Sequence, residues 1–204
     1  MQANHTLLLR AVVGDADDAA VLRGLAELRL SLGIGLAEFA VYRGVRTPDL
    51  YAYAATGSAA QLSPEELRRF ATIAGRIPLL AGAAPTIDRL ELAFAVPGAS
   101  AGAFPGFHYA VETDPAEGWQ EELFRWYDTE HMPGLAAAPG CVRALRFLNI
   151  DGGPYSYACY DLTACDTLAS APWLAVRHTA WSDRVRPNFR NTRRTLFRAL
   201  PDPS

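Results

Sequence analysis

The sequence contains no lysine, because all 19 of its basic side chains are arginine. This absence excludes a catalytic Schiff base and the lysine of a phosphate-binding P-loop. Cysteine is also scarce. Its three residues show no close paired spacing, which favours unpaired thiols in a reducing compartment. We therefore expect a cytoplasmic protein.

Long apolar runs are missing as well. None approaches the roughly 20 residues that a membrane-spanning helix needs, and the first residues lack the basic and apolar regions of a signal sequence. The net charge of −3 provides no general attraction to nucleic acid or to an anionic membrane. We expect a small-molecule substrate as the partner, with no membrane and no nucleic acid.

Metal and cofactor motifs are lacking too. No two histidines lie three or four residues apart, and no Gly-x-Gly-x-x-Gly joins a strand to a helix. We expect neither a metal nor a cofactor. One alternative stays open, a haem with a single axial ligand, either His131 or His178.

One pattern of elements, β-α-β-β-α-β, occurs twice at a period of roughly a hundred residues. We predict a first repeat over residues 1–98 and a second over 105–204, because residues 97–106 have linker composition. Hydrophobic periodicity predicts strands at 5–13, 36–44, 49–56, 87–96, 107–112, 141–150, 155–162 and 193–200, and helices at 18–32, 64–77, 115–131 and 163–178. The first helix carries Val21, Leu25 and Leu28 at helical spacing, and a capping box at Ser63 and Glu66 begins the second.

Two such split βαβ units form two antiparallel sheets, each with helices on one face. The other faces are too apolar to stay in water, so we expect them to pack together around a cavity. The predicted fold class is α+β, with tandem ferredoxin-like repeats packed as an intramolecular dimeric α/β-barrel. The chain would be a pseudo-dimer, and a further homodimer stays open.

The most informative stretch is the helix that begins near Trp119. With 3.6 residues per turn, Phe124, Tyr127 and His131 form one stripe, which brings an imidazole near a phenol. We predict that Pro133 ends this helix. His131 then lies at an element boundary, where it can act as a general acid or base.

Neighbouring residues suggest what determines the orientation and the pKa of the His131 imidazole. Asp128 and Glu130 lie within one turn of His131, and one of these carboxylates can orient the ring or raise its pKa. Trp126 lies on the adjacent stripe and is expected to pack in the core. The alternative for His131 is a residue that only meets the helix dipole, and the alternative for Tyr127 is simple packing.

The strand that follows supplies candidate anion-binding residues. Arg143 and Arg146 differ by three, so they face opposite sides of a regular strand, and one can bind a carboxylate or phenolate in the cavity. His108 is another candidate substrate-binding residue, although a hydrogen-bonded sheet histidine is the favoured interpretation. The arginine-rich C-terminus, from Arg184 to Arg198, is interpreted as a solvated face, with anion or RNA binding as the alternative.

These residues carry a family resemblance. The pattern Trp126-Tyr127-x-x-Glu130-His131-x-Pro133, followed by Pro139-Gly140 and the arginine-rich strand, resembles the EthD-like branch of the dimeric α/β-barrel superfamily. The similarity covers residues 107–200. The first repeat has no such pattern, so the site would occur once per chain. The resemblance implies the ferredoxin-like fold and a superfamily that includes cofactor-free monooxygenases, polyketide cyclases, isomerases, lyases and haem-binding enzymes.

We favour a cofactor-independent enzyme that acts on a small carbonyl compound, aromatic or polyketide-like. His131 would be the base that forms an enolate and Tyr127 the donor to that enolate. Cyclisation, dehydration, decarboxylation and isomerisation all begin this way. The alternatives are a cofactor-free monooxygenase and a non-catalytic small-molecule-binding or auxiliary protein, which a closed, small cavity would favour. The candidate substrate-binding residues are Arg143, Arg146, Trp126, Phe124, His108 and Glu130.

Overall fold

The structure is a computed structural model that describes residues 5–14, 16–32, 38–55 and 62–201. Two 3₁₀ turns and one π-helical turn accompany its strands and helices in this part of the chain. The elements are β1 (His5–Val12), α1 (Asp18–Leu32), β2 (Glu38–Gly44), β3 (Asp49–Ala55), α2 (Pro64–Arg76), β4 (Thr86–Pro97), β5 (Phe107–Pro115), α3 (Gln120–Trp126), the π-turn (Tyr127–His131), α4 (Met132–Ala136), β6 (Cys141–Asn149), β7 (Ser156–Leu162), a 3₁₀ turn (Cys165–Ala169), α5 (Ala171–Val176), α6 (Ala180–Val185), a 3₁₀ turn (Arg186–Asn188) and β8 (Phe189–Leu200).

The strands follow one hydrogen-bonded order, β1-β3-β2-β8-β5-β7-β6-β4, which closes as a barrel. Pairing is antiparallel between β1 and both β3 and β4, between β2 and β3, and between β7 and both β5 and β6. The predicted fold class, tandem β-α-β-β-α-β repeats in an intramolecular α/β-barrel, is confirmed. The predicted strand limits at 36 and 56 lie outside the described residues.

By its internal contacts the chain divides into two compact units. The first comprises Met1–Glu91 and Arg198–Ser204, and the second comprises Leu92–Phe197. Both boundaries fall inside long strands, β4 and β8, each of 12 residues. Composition had suggested bounds at 98 and 105, in the segment between β4 and β5, because glycine and proline are dense there.

The first unit has an aliphatic core. Helix α1 buries Val21, Leu25 and Leu28 at helical spacing. Helix α2 begins with the capping box that its sequence predicts, in which the Ser63 hydroxyl accepts from the Glu66 amide at 3.2 Å while the Glu66 carboxylate accepts from the Ser63 amide at 2.7 Å. Both helices therefore form as ordinary amphipathic elements.

In the second unit, the helix that begins at Gln120 corrects one prediction. Pro133 does not end it, because the chain passes through the π-turn into α4 with Met132 in helical geometry, at φ −70° and ψ −43°. Pro133 falls in the first turn of α4, directly after the π-turn, where the hydrogen-bonding pattern changes and the missing N–H is tolerated. The predicted helix over 115–131 also starts late, since β5 continues to Pro115.

The other elements of the second unit differ from prediction mainly in length. The helical region expected over 163–178 divides into a 3₁₀ turn and α5, and β8 begins four residues earlier than the predicted 193. None of the described helices is both long enough and apolar enough to cross a membrane.

Candidate functional site

A small cavity lies within the second unit, between its sheet and its helices. Its volume is about 30 Å³, which is room for about one water molecule. Strands β5, β7 and β8 supply one side and the α3–α4 segment with α5 supplies the other. Aromatic rings dominate the lining: Tyr109, Trp126, Tyr127, Tyr160, Trp173 and Phe189.

The π-turn determines how the candidate catalytic side chains meet. The Met132 amide donates to the Tyr127 carbonyl, five residues back, so the turn is wider than an α-helical turn. As a result Trp126 and His131 stack, with ring centroids 4.1 Å apart and an interplanar angle of 20°. Tyr127 meets the imidazole edge-on at 5.8 Å. Both predicted catalytic residues, His131 and Tyr127, therefore line the cavity together.

The imidazole of His131 lies in an apolar and positively charged environment. Burial, reinforced by the charges of Arg186 and Arg177, lowers the pKa of His131 to about 3. The ring is therefore neutral at pH 7. Burial also raises the pKa of Tyr127 above its ordinary value, against the opposing charges of Arg194 and Arg146.

The two neighbouring carboxylates are engaged elsewhere. Asp128 accepts two hydrogen bonds from Arg146, at 3.0 and 2.7 Å. Glu130 accepts from the Thr179 hydroxyl at 2.6 Å, next to the first turn of α6. The expectation that one of them orients His131 is wrong. The π-turn and the packing of Trp126 determine the orientation of the His131 imidazole instead.

Three polar atoms in the cavity wall have no hydrogen-bond partner among the described residues. They are Nδ1 of His131, Nε1 of Trp126 and the hydroxyl of Tyr160, and all three are buried. An unsatisfied buried polar group costs about 1 to 3 kcal/mol. Three unsatisfied polar atoms around one cavity would destabilise an inert core. Their presence therefore favours a polar ligand or water in the cavity.

Three arginines complete the lining, and no carboxylate accompanies them. Arg177 follows α5, Arg186 begins a 3₁₀ turn and Arg194 lies on β8. Nη1 of Arg186 donates to the Arg177 carbonyl at 3.1 Å. Burial and the charges of the other two guanidinium groups lower the pKa of Arg186. Arg186 and Arg194 belong to the C-terminal run interpreted from the sequence as a solvated face, and Arg177 was not a candidate, because the three converge only in the folded chain.

The predicted anion-binding arginines on β6 do not line this cavity. Nε of Arg143 donates to Asp161 at 2.5 Å. Arg146 is buried, pairs with Asp128 as described, and lies over the Phe124 ring at 4.3 Å. A carboxylate therefore already neutralises each guanidinium group.

The remaining candidates also lie outside the cavity. Nδ1 of His108 is 2.7 Å from the Asp161 carboxylate in a buried pair, as expected of a hydrogen-bonded sheet histidine. Phe124 stacks with Tyr155, at 6.0 Å between centroids, rather than with Tyr127. Of the predicted substrate-binding set, the structure brings only Trp126 to His131 and Tyr127.

No cluster of three or more His, Cys, Asp or Glu side chains capable of holding a metal occurs among the described residues. The structure has no preformed space for a haem beside His131, since the cavity is about 30 Å³ and the Trp126 ring covers the imidazole. Pockets for larger ligands measure about 300 to 1,000 Å³. His178 is exposed and does not line the cavity.

Comparison with known proteins supports the fold. No family model matches the chain, and no curated protein matches it. Similar solved structures include an anthrone oxidase-like protein, with 15% identity over 98% of this chain and 94% of that one at a TM-score of 0.63. A monooxygenase-like protein of Lactobacillus acidophilus NCFM has 10% identity over 96% and 94% at 0.60. The heme-degrading enzyme of Listeria monocytogenes has 6% identity over 95% and 98% at 0.56.

These similarities extend over nearly the whole of each chain. The protein therefore has the dimeric α/β-barrel fold that the sequence resemblance implied. At such low identity the structures are informative about the fold and not about the reaction. Assignment to the EthD-like branch stays a prediction.

Proposed function

We propose that the protein is a cofactor-independent enzyme that removes a proton alpha to a carbonyl group in a small aromatic or polyketide-like molecule. His131 is the base and Tyr127 donates to the oxygen of the enolate. The observation that carries this proposal is the buried, unpartnered Nδ1 of a neutral imidazole in a cavity that contains other unsatisfied donors.

Proton transfer depends on charge compensation in the bound complex. In the empty cavity an imidazole whose pKa is about 3 is a weak base. The negative charge that develops on the enolate offsets the charges of Arg177 and Arg186, which otherwise disfavour the imidazolium ion. The pKa of His131 therefore rises as the substrate loses its proton, and the two charges form together.

The size of the cavity requires side chains to move before an aromatic substrate binds. Trp126 is the side chain in the way, because its ring covers His131 at 4.1 Å. Displacement of Trp126 would expose the imidazole and leave its indole Nε1 free to donate to the substrate. Closure of the aromatic wall afterwards would exclude water from the charged intermediate.

The second candidate function is a cofactor-free monooxygenase. The similarity to an anthrone oxidase-like protein favours it, because an anthrone carries an acidic CH₂ group beside an aromatic system. The same enolate would react with O₂, so that a CH₂ group and O₂ become a C=O group and water. Uptake of one O₂ for each substrate consumed would distinguish this reaction from non-oxidative enolate chemistry.

The third candidate is a protein that binds a small molecule without reaction. The volume of about 30 Å³ favours it, since little space is preorganised around a reacting atom. A ligand that co-purifies unchanged, found by native mass spectrometry, and no turnover in a substrate screen would support this function over the enzymatic ones.

The enzymatic proposal is tested with His131→Ala, using His178→Ala as the matched control because His178 is exposed and outside the cavity. Anthrones and aromatic 1,3-diketones would be screened for consumption and O₂ uptake. Loss of the base should lower turnover by about 10² to 10⁴, whereas the control should match wild type. Turnover by His131→Ala within about threefold of wild type would contradict the role of His131.

A further inference from the structure

Three arginines line the cavity in the second unit. Arg177, Arg186 and Arg194 come from three different elements and all line the same space as His131. No ion pair joins any of them to a carboxylate in the described part of the chain. Arg184, which is close to them in sequence, differs because it pairs with Glu122.

Such an arrangement is unfavourable in the empty protein. Like charges that converge on one space repel one another, and the repulsion is screened less where the side chains are half-buried, as Arg177 and Arg186 are, than at exposed Arg194. The pKa of Arg186 is lowered by burial and by its two neighbours, which reflects this repulsion. A bound anion would relieve it. Clustered, uncompensated charge at a concave site is a physical indication of a ligand of opposite sign.

We propose that Arg177, Arg186 and Arg194 form a recognition site for the carboxylate or ionised phenol of an aromatic substrate, held next to His131. Guanidinium groups suit this task because their planar donors match the oxygens of a carboxylate. The aromatic wall would hold the ring while the arginines hold the anion. This inference rests on the proposed function for the identity of the site, but it concerns binding and is measurable without turnover.

The site also couples binding to the state of the base. Of the groups that face His131, the tyrosines Tyr109, Tyr127 and Tyr160 are neutral at pH 7 because burial raises the pKa of each. The charged groups are the three arginines. An anion on Arg177 and Arg186 would cancel charges that lower the pKa of His131, so the bound anion should raise that pKa.

The experiment compares salicylate with its neutral amide, salicylamide, at fixed ionic strength. Binding would be followed through the fluorescence of Trp126 and Trp173, which line the cavity, and through calorimetry. Wild type should bind salicylate at least about tenfold more tightly than salicylamide. Arg186→Gln should lose that preference. Arg190→Gln is the matched control, since Arg190 is exposed and outside the cavity, and should retain it.

A fold defect in Arg186→Gln would be recognised by circular dichroism, and Arg194→Gln on β8 then serves as the second variant. Equal binding of salicylate and salicylamide by wild type would overturn the proposal. So would a preference that survives in both cavity variants. Inorganic phosphate that competes with salicylate at equal affinity would also overturn it, because the site would then recognise charge without the aromatic ring.

The coupling between anion binding and the pKa of His131 is measured separately. Imidazole NMR signals would be titrated with and without salicylate, with His131 assigned from His131→Gln. The pKa of His131 should rise by about one unit or more when salicylate is bound. Tight salicylate binding that leaves the pKa of His131 unchanged would place the anion elsewhere and overturn the assignment. Confirmed binding with no turnover would contradict the proposed enzyme and leave this inference intact.

Discussion

The two units carry the same order of elements but fill the space between sheet and helices differently. In the first, α1 is a continuous helix of 15 residues that packs Val21 and Leu25 against other aliphatic side chains. In the second, a π-turn interrupts the corresponding helix, and aromatic rings pack around polar atoms that have no partner. One fold therefore provides both an ordinary core and a candidate site.

This difference between the units indicates that the packing around His131 stabilises the fold less than the aliphatic core does. An aliphatic core has no donors or acceptors to satisfy, whereas each unpartnered atom beside His131 destabilises the empty protein. The arginines of the cavity add repulsion to this. Proteins tolerate such features at functional sites, where a ligand or a transition state provides the missing interactions.

The largest effect on stability should come from the aliphatic core. Leu25→Ala removes a fully buried side chain, so it should lower the free energy of unfolding by about 2 to 5 kcal/mol. Urea denaturation measures this change. The folded fraction should still bind salicylate as wild type does, since Leu25 is in the first unit. Weakened binding by the folded fraction would mean that the two units are not functionally separate.

The next largest effect is the pH dependence of stability that arises from His131 in the second unit. The folded pKa of His131, about 3, lies below the unfolded value near 6.5, so the unfolded chain binds the proton more tightly. The neutral imidazole's contribution is complete above pH 6.5 and is lost as pH falls toward 3. Between pH 7 and pH 4, wild type should lose up to roughly 3 kcal/mol more stability than His131→Gln. Parallel losses in both proteins would show that His131 does not titrate abnormally.

A smaller effect should be a gain in stability rather than a loss. Tyr160→Phe removes a buried hydroxyl that has no partner, so it should leave the protein as stable or raise the free energy of unfolding by about 1 kcal/mol. The same variant should weaken ligand binding. Tyr51→Phe in the first unit is the control, because its hydroxyl is not among the buried atoms without a partner, and it should give no gain. A destabilised Tyr160→Phe would indicate that water satisfies this hydroxyl.

The smallest effect concerns an ion cluster in the first unit. Asp18 binds Arg43 at 3.0 Å and Arg198 at 2.5 Å, and the hydrogen bond from Arg198 is the main cause of its lowered pKa. The cluster is partly exposed, so Asp18→Asn should lower stability by less than about 1 kcal/mol. The difference from wild type should be present at pH 7, begin to shrink near the ordinary pKa of aspartate, about 3.9, and disappear only below the lowered pKa of the folded state. A difference that does not shrink at all between pH 7 and pH 2 would not be electrostatic.

Much of the fold could be predicted because each element carries its own local signal. The capping box at Ser63 and the spacing of Val21, Leu25 and Leu28 depend only on nearby residues, and both are as expected. The pairing of Tyr127 with His131 was also predictable from helical spacing. Repetition of the element order then indicated the tandem fold.

The rest of the site could not be predicted for two physical reasons. A period of 3.6 residues assigns Trp126 to a different stripe from His131, and the sequence carries no clear signal of the wider turn that stacks them. The convergence of Arg177, Arg186 and Arg194 depends on tertiary packing, which local patterns do not contain. Arg143 and Arg146 were better candidates by spacing alone, but carboxylates on other elements, Asp161 and Asp128, neutralise them.

The π-turn also fixes how many residues separate the stacked pair. Trp126 and His131 are five apart, and five residues of a regular α-helix would turn their side chains about 140° away from each other. Removal of one residue from the turn, such as Thr129, would place the two side chains four apart, which is the α-helical spacing that returns them to one face. A deletion of a single codon should therefore remove the π-turn and keep the stacked pair, whereas the same deletion in α1 would move the residues that follow it to a different face of the helix.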